Sequence, residues 1–142
     1  MLSRVEKFEV ALKQTECDAV LVTNLKNIYY LTGFSGTEAT VFISKKRRIF
    51  LTDSRYTLIA KGVVEGFDIV ETRDAVGEIA KIIADDKLEK IGFDDEISYA
   101  YFKMLESLFS GYELVPMTGF IENLRMIKDE QEIATIRKAC QI

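Results

Sequence analysis

Apolar positions in this chain follow two periods, that of an amphipathic helix and that of a short buried strand, and the two alternate along the chain. A helical stripe at Val5, Phe8 and Leu12 comes first, and Ser3 and Glu6 have the spacing of a capping box at its start. A short continuous apolar run, "DAVLVT", follows and predicts a buried strand. The chain is therefore expected to begin with a helix and a strand.

The next region predicts a helix, a hairpin and another helix. Asn24 is suited to cap the helix "LKNIYYLT", and Gly33 to end it in a left-handed turn. The runs "TVFIS" and "RRIFLT" are predicted strands, and we interpret the basic residues 45–48 between them as a solvated hairpin turn. Asp53 or Ser54 is expected to cap the helix that follows.

Three more strands are predicted by "FDIVET", "KIGF" and "YELVP", with a helix before each of the last two. Asp74 and Ser98 are suited to cap those helices. The apolar face of the second is expected at Phe102, Leu105, Leu108 and Phe109. This alternation predicts an α/β fold, in which helices cover both faces of a mixed, mostly parallel sheet of about six strands to make three layers.

The last part of the chain predicts a domain boundary. Residues 1–120 are expected to form the α/β domain, and residues 121–142 a connector and the first helix of a second domain. In that helix Asp129 and Glu132 fit a capping box, and the sequence has no Gly, Asn or Pro after Cys140 to end it. We therefore expect the chain to be one piece of a longer protein.

Composition narrows the classes of function. The net charge of -4 disfavours nucleic-acid binding, because phosphate binding needs a clustered positive field. The chain has no histidine, which excludes a Ser-His-Asp triad, a Cys-His pair and every His-containing metal site within it. Cys17 and Cys140 lack the spacing of a metal motif, and neither a signal peptide nor a membrane-length apolar stretch is present. We expect a cytoplasmic protein without nucleic-acid or membrane partners.

The segment "YLTGFSG" is a candidate for a site. It follows a helix and precedes a strand, whereas phosphate loops run from a strand into a helix. A helix end followed by a tight turn is the simpler interpretation, and an exposed loop that contacts a ligand is the alternative. Tyr29 and Phe34 are the aromatic residues expected to be exposed. Ser35 is not a candidate nucleophile, because it lacks the GxSxG pattern and a histidine to activate it.

Charged residues follow two of the predicted strands. We interpret Asp53 and Arg55 as a helix cap with a neighbouring charge pair, and a metal or substrate site is the alternative. The residues "DDE" at 94–96 place carboxylates after another strand. A divalent-cation site of the nuclease kind is conceivable there, but adjacent side chains project in different directions, so a solvated acidic turn is favoured.

Three stretches, in order, carry a family resemblance. "NIYYLTGFSG" forms a predicted helix and loop, "RIFLTDSRY" a hairpin strand leading into a helix, and "LRMIKDEQEIATIRKAC" a connector and a new helix. Together they resemble the N-terminal domain of the creatinase/prolidase family, which comprises metal-dependent Xaa-Pro dipeptidases and aminopeptidases P. The resemblance extends over essentially the whole chain.

This resemblance implies the non-catalytic N-terminal domain of a metal-dependent Xaa-Pro peptidase. In the family a C-terminal domain of the same chain holds two divalent metal ions (Mn, Co or Zn) and supplies the catalytic residues, so this fragment alone is expected to be inactive. The N-terminal domain is implied to take part in a homodimer and to shape the cleft for peptides with proline at the second position. The alternative is a protein- or peptide-binding module of a catalytically dead peptidase-like protein.

The resemblance also implies a substrate-cleft loop, formed by Phe34, Ser35, Gly36, Thr37 and Glu38. Phe34 is expected to be an apolar wall of the cleft and Glu38 a partner for the ammonium group of the substrate. Tyr29 and Arg55 are accessory candidates. Some prolidases that prefer dipeptides carry histidine in this loop, and its absence makes the loop more similar to that of aminopeptidase P.

Overall fold

The computed structural model describes residues 2–126 and 130–140 of the 142-residue chain. Its helices are α1 (Arg4–Lys13), α2 (Leu25–Thr32), α3 (Thr57–Val63), α4 (Ala75–Asp85), α5 (Tyr99–Leu108), α6 (Phe120–Met126) and α7 (Glu130–Cys140). Its strands are β1 (Ala19–Val22), β2 (Thr40–Ser44), β3 (Arg48–Thr52), β4 (Asp68–Glu71), β5 (Lys90–Phe93) and β6 (Glu113–Pro116). Helices and strands alternate in the order that the apolar pattern predicts, with α6 as an addition.

The strands form one six-stranded sheet in the order β4-β3-β2-β1-β5-β6. The pairs β1–β5, β3–β4 and β5–β6 are parallel, and β2 is antiparallel to both β1 and β3. Every strand except β2 therefore runs in the same direction, which confirms the mixed, mostly parallel sheet. We call the edge at which these parallel strands end the carboxyl edge, and the opposite one the amino edge.

Helices cover both faces of this sheet, as predicted. On one face α1, α2, α3 and α6 pack through a buried cluster that includes Phe8, Ile28, Ala60 and Ile121. On the other face α4 and α5 pack through a second cluster that includes Ile79, Ile83, Leu105 and Phe109. Each large apolar side chain buried in this way stabilises the fold by about 1.5–3 kcal/mol relative to leaving it exposed. The three-layer architecture is therefore confirmed.

The helix ends follow local sequence chemistry at most positions. The hydroxyl of Ser3 accepts the N–H of Glu6 at 3.1 Å, and the Glu6 carboxylate accepts the N–H of Ser3 at 3.3 Å, which completes the predicted capping box. Gly33 ends α2 at φ 79°, a left-handed conformation that glycine adopts without strain. The predicted caps of α2, α4 and α5 also form, at Asn24, Asp74 and Ser98.

Two predictions about helices are wrong, and one segment contains a helix that the sequence does not predict. Helix α3 begins at Thr57 after Tyr56 and has no side-chain cap, because the Asp53 carboxylate instead holds the backbone and side chain of Arg55. Leu108 is 47% exposed, although it was assigned to the apolar face of α5. The segment assigned to a connector contains α6, which packs on the domain. Asp129 lies outside the described residues, so its capping role stays a prediction.

Side chains of α2 hold α6 in place. The Asn27 amide donates to Glu122 Oε1 at 3.1 Å and accepts from Arg125 Nη1 at 3.1 Å. The Tyr30 hydroxyl donates to the backbone carbonyl of Leu124 at 3.3 Å. The domain division after residue 120 stays a prediction, but these contacts place the seven residues of α6 with the α/β domain.

The predicted hairpin turn lies at the amino edge, and its arginines connect the two helix layers. Arg47 forms two hydrogen bonds with the Asp86 carboxylate after α4, at 2.6 and 2.8 Å. Arg48 forms two with Glu9 of α1, at 2.6 and 3.0 Å. The basic run is therefore a turn, as predicted, in which two of the charges are also structural.

No helix in residues 2–126 or 130–140 combines the length and the apolar character needed to cross a membrane.

Candidate functional site at the carboxyl edge of the sheet

The carboxyl edge brings together the polar segments that the sequence analysis singles out. Residues 53–56 follow β3, residues 94–98 follow β5, and the 33–38 loop leads into β2, which begins at this edge. In open α/β sheets, ligands bind in crevices outside the carboxyl ends of the strands. This edge is therefore the candidate site.

Phe34 anchors the 33–38 loop to the domain core. It is only 2% exposed, and its ring packs edge-on against Phe50 and Tyr56, with centroid distances of 4.9 and 5.6 Å. The expectation that Phe34 is exposed is therefore wrong. Its ring is an internal plug that fixes the loop, since a buried phenyl group resists leaving the core.

Gly36 is needed because the loop folds back over this plug. A Cβ atom at this position would lie 2.4 Å from Cζ of Phe34 and 3.0 Å from Cδ1 of Tyr56. Two hydrogen bonds complete the anchoring. The hydroxyls of Thr37 and Tyr56 are 2.7 Å apart, and the Thr52 hydroxyl donates to the backbone carbonyl of Glu38 at 2.5 Å.

The predicted cleft residues divide between two clefts. Tyr29, which is 55% exposed as expected, lines a wide groove of about 1160 Å³. From the loop, Ser35, Gly36 and Thr37 also line that groove. Glu38 and Arg55 instead line a smaller pocket of about 370 Å³ beside the ends of β3 and β4. The structure therefore does not bring all the candidates into one site.

Charges of alternating sign surround the smaller pocket. The Arg55 guanidinium donates to both oxygens of Asp53, with the shortest distance 2.6 Å, and the Arg55 N–H donates to Asp53 Oδ1 at 3.0 Å. These hydrogen bonds lower the pKa of Asp53, and the charge of Arg73 lowers it further. The Asp53 carboxylate raises the pKa of Arg55, and the negative charge of Glu38 raises it further. We call Glu38, Arg55, Asp53 and Arg73 the charge row.

Asp94 has a different role from the one predicted. It is 5% exposed rather than solvated, and its carboxylate accepts the Thr23 N–H at 3.0 Å, the Thr23 hydroxyl at 2.9 Å and the Asn24 N–H at 2.7 Å. Burial raises the pKa of Asp94, while these hydrogen bonds oppose the shift. Asp94 thus fixes the end of β1 and the start of α2, the helix that leads into the 33–38 loop.

Tyr101, at the start of α5, is affected by the charges of both Asp94 and Glu38 at this edge. Burial raises its pKa to about 12, with smaller contributions from the charges of Asp94 and Glu38. Its hydroxyl therefore stays protonated throughout the physiological range. Sequence reasoning missed the burial of Asp94, because nothing local separates this residue from the exposed acidic residues beside it. It also missed the proximity of Tyr101 to this edge.

The acidic residues at this edge do not converge on a metal. Within residues 2–126 and 130–140, no group of three His, Cys, Asp or Glu side chains could hold a metal ion. Asp94 is occupied by backbone and hydroxyl donors, and Glu96 accepts from the Asn24 amide at 2.9 Å. The residues present therefore do not fit the metal pair that the family resemblance implies, and we derive no catalytic step in this part of the chain.

The comparison with protein families gives a match over most of the chain. Residues 4–127 match the model of the creatinase/prolidase N-terminal domain. The chain is also similar to a Bacillus subtilis protein described as an uncharacterized peptidase, YqhT, with 32% identity over 98% of this chain and 40% of that relative. The chain thus spans about two fifths of the length of the curated relatives it matches.

Solved structures give the same result. The crystal structure of an Xaa-Pro aminopeptidase (aminopeptidase P) from Streptococcus thermophilus is 58% identical, with a TM-score of 0.85, over 87% of this chain and 96% of that one. An X-Pro aminopeptidase from Thermotoga maritima is 29% identical, with a TM-score of 0.86, over 94% of this chain and 38% of that one. Fold, sequence and family model agree, and the chain belongs to the creatinase/prolidase N-terminal domain family.

Proposed function

We propose that this chain is the non-catalytic N-terminal domain of a longer, cytoplasmic Xaa-Pro peptidase. The observation that carries the proposal is the family match over residues 4–127, together with 58% identity to a chain named an Xaa-Pro aminopeptidase. The chain has no histidine, and we propose that the metal-binding and catalytic residues lie in another domain of the longer protein. Two divalent metal ions, Mn, Co or Zn, would then be held by the rest of the longer protein.

The role we propose for this domain is to shape the substrate cleft. Support comes from the rigid anchoring of the 33–38 loop by Phe34, which leaves Ser35, Thr37 and Glu38 exposed. Phe34 is buried and can act only by fixing the loop, so the proposed contacts with a peptide pass to its exposed neighbours. Tyr29 and Arg55 remain accessory candidates, one for each of the two clefts.

A hydrolysis assay on the longer protein tests the activity. The substrates are an Xaa-Pro dipeptide and a longer Xaa-Pro peptide, each with and without added Mn²⁺, and the 142-residue chain is assayed in parallel. We expect metal-dependent cleavage by the longer protein and none by this chain. Cleavage by this chain would contradict the division of labour. No cleavage by the longer protein, in this assay or in repeats with Co²⁺ and Zn²⁺, would contradict the peptidase itself.

Variants of the loop test the role in the cleft. Glu38→Ala in the longer protein is expected to lower kcat/KM, because an exposed carboxylate is suited to attract the ammonium group of a peptide. The matched control is Glu106→Ala, which removes a half-exposed carboxylate on α5 far along the chain from the loop. Equal kcat/KM for Glu38→Ala, the control and the unmodified protein on all substrates would remove Glu38 from the cleft.

The exposed apolar outer face of α3 supports the proposed homodimer and also a second candidate function, a protein-binding module. Leu58 is 84% exposed, and Ile59 and Val63 are also exposed. Apolar surface of this kind is typical of interaction sites. We assign it to the homodimer of the peptidase, and its test is the mass of the longer protein in solution. A monomeric protein that also fails to cleave peptides would favour the binding module.

A further inference from the structure

The pocket lined by the charge row has the size and position of a small-molecule site. Its volume of about 370 Å³ lies in the range of ligand pockets, and it opens beside the carboxyl ends of β3 and β4. Thr52, Ser54 and Thr72 add hydroxyl groups to its lining. Parallel strands that end together at such a crevice form the usual ligand position of α/β sheets.

The middle of the charge row is fixed. Asp53 is largely covered, with its side chain 17% exposed, and Arg55 holds it through both carboxylate oxygens. The Arg55 guanidinium also lies over the Tyr56 ring, 5.3 Å from its centroid. The Tyr56 hydroxyl is in turn hydrogen-bonded to the hydroxyl of Thr37 in the 33–38 loop. The central ion pair is therefore held from two sides and has little freedom to rearrange.

The two ends of the charge row are free. Among the residues that the structure describes, neither the Glu38 carboxylate nor the Arg73 guanidinium forms a hydrogen bond or ion pair. Each end interacts electrostatically with the central pair, Glu38 with Arg55 and Arg73 with Asp53. The pocket therefore presents one unpaired negative and one unpaired positive group, on either side of a neutralised pair.

We propose that this pocket binds the two charged ends of a free amino acid or very short peptide in its zwitterionic form. The ammonium group of the ligand lies against Glu38, and its carboxylate lies against Arg73, whose planar guanidinium is suited to bidentate binding of a carboxylate. The hydroxyls of the lining donate further hydrogen bonds. A ligand with only one charge would leave one end of the row unpaired, so the pocket selects for both charges together.

Direct binding to the 142-residue chain tests this, with three probes that differ only in their charged ends. The probes are alanyl-proline, its C-terminal amide and its N-acetyl derivative. Binding is followed by NMR, through the arginine Nε–H signals of Arg55 and Arg73 and the backbone signals of Glu38 and Ser54. We expect alanyl-proline to bind about tenfold more tightly than either capped form, since each cap removes one charge-assisted contact.

Two variants assign each end of the ligand. In Arg73→Gln, amidation of the peptide should no longer weaken binding, and in Glu38→Gln, acetylation should no longer weaken it, as a double-mutant cycle requires. Lys81→Gln and Glu106→Gln remove exposed charges outside the pocket and should keep the wild-type pattern. Equal affinity for the three probes, loss of the pattern in the controls, or no binding at all would overturn the proposal.

The pocket proposal shares two elements with the proposed function, the choice of a proline-containing probe and the assignment of Glu38 to an ammonium group. The two proposals nevertheless fail separately, because one is tested by hydrolysis and the other by binding to this chain. Hydrolysis by the longer protein without probe binding to this chain would overturn the pocket and leave the peptidase standing. Probe binding without hydrolysis would do the reverse.

Discussion

Two loops at opposite edges of the sheet differ in what their polar residues do. The hairpin turn at residues 44–48 carries four consecutive basic residues, yet Arg47 and Arg48 are committed to Asp86 and Glu9. The 33–38 loop carries a single charged residue, Glu38, and is held by a buried phenyl ring instead of ion pairs. The loop with fewer charges is the one whose charge is free to meet a ligand.

The difference shows how this fold separates the polar groups that stabilise the domain from those that are left to bind a ligand. At the amino edge, charges tie α1 and α4 to the sheet, so their partners lie within the domain. At the carboxyl edge, the buried Phe34 ring and two hydrogen bonds fix the loop, and the Glu38 carboxylate is left without an ion pair among the described residues. Charge content in a sequence is therefore a poor guide to a site, and the number of partners inside the domain is a better one.

The largest effect should come from removing the plug that anchors the 33–38 loop. Phe34→Ala is expected to destabilise the domain by about 3–5 kcal/mol, because it leaves a cavity among Phe50 and Tyr56. Denaturant unfolding of the purified variant measures this. Tyr29→Ala, on the exposed face of α2, is the matched control and should change stability by less than about 0.5 kcal/mol.

An equally small loss of stability in Phe34→Ala and Tyr29→Ala would contradict this comparison of the two edges. That result would mean that the Phe34 ring does not hold the loop.

Asp94 should give the next largest effect. Asp94→Ala is expected to cost about 2–4 kcal/mol at neutral pH, because it leaves the N–H groups of Thr23 and Asn24 without their acceptor. Asp18 makes the equivalent contact at the amino edge, accepting the N–H groups of Glu89 and Lys90 at 2.9 and 3.0 Å. Asp95→Ala, at the exposed neighbour, is the control. Equal unfolding free energies for Asp94→Ala and Asp95→Ala would contradict the role of Asp94 as the acceptor that holds Thr23 and Asn24.

The contributions of Asp94 and Asp18 to stability should change with pH in opposite directions. Burial raises the pKa of Asp94, so the pH-dependent part of its contribution to stability is largest at low pH and decreases as the pH rises through its folded-state value. Hydrogen bonds from Lys90 and Glu89 lower the pKa of Asp18, so its contribution is present above the unfolded-state value and is lost as the pH falls. Unfolding of Asp94→Asn and Asp18→Asn at acid and neutral pH measures both trends. Parallel trends would contradict the assignment.

Gly36 tests how closely the loop packs on its plug. Gly36→Ala is expected to destabilise by about 1–3 kcal/mol, since the new methyl group overlaps the Phe34 ring, which is buried and cannot swing away. Gly62 offers a matched control, because it lies within α3 and a Cβ atom added there would meet open space. Gly62→Ala should stabilise by about 0.5–1 kcal/mol through helix propensity. Changes of the same sign in both variants would argue against the close packing.

Most of the fold could be predicted because its signals are local. Caps such as Asn24 and Ser98 and the end of α2 at Gly33 depend on residues within one turn, and the structure confirms them. Helix α6 was not predicted. It is only seven residues long, and contacts with Asn27 and Tyr30, which are far away in the sequence, hold it in position. The position of α6 therefore depends on tertiary contacts that its own sequence does not reveal.

The site was less predictable for the same physical reason. Phe34 lies among glycines and polar residues, so its surroundings in sequence indicate exposure, but the space left by Gly36 lets its ring turn inward. Asp53 could have capped a helix, and the competing partner Arg55 prevented it. Asp94 and Asp95 are the same residue type side by side, and only the approach of Thr23 separates their roles. The Asp53–Arg55 contact is local, and the sequence predicts it as a charge pair, whereas the burial of Phe34 and of Asp94 depends on residues far away in the sequence.

The smallest effect should come from the ion pairs of the hairpin turn. Arg48 and Glu9 are each about one-third exposed, so solvent screens their attraction, and the coupling energy in a cycle of Arg48→Gln and Glu9→Gln should be about 0.2–1 kcal/mol. Added salt should reduce it further. Lys45→Gln, in the same turn, is the control and should be neutral. A coupling energy as large as the effect of Phe34→Ala would mean that charge, and not apolar packing, is the stronger anchor of a loop in this domain.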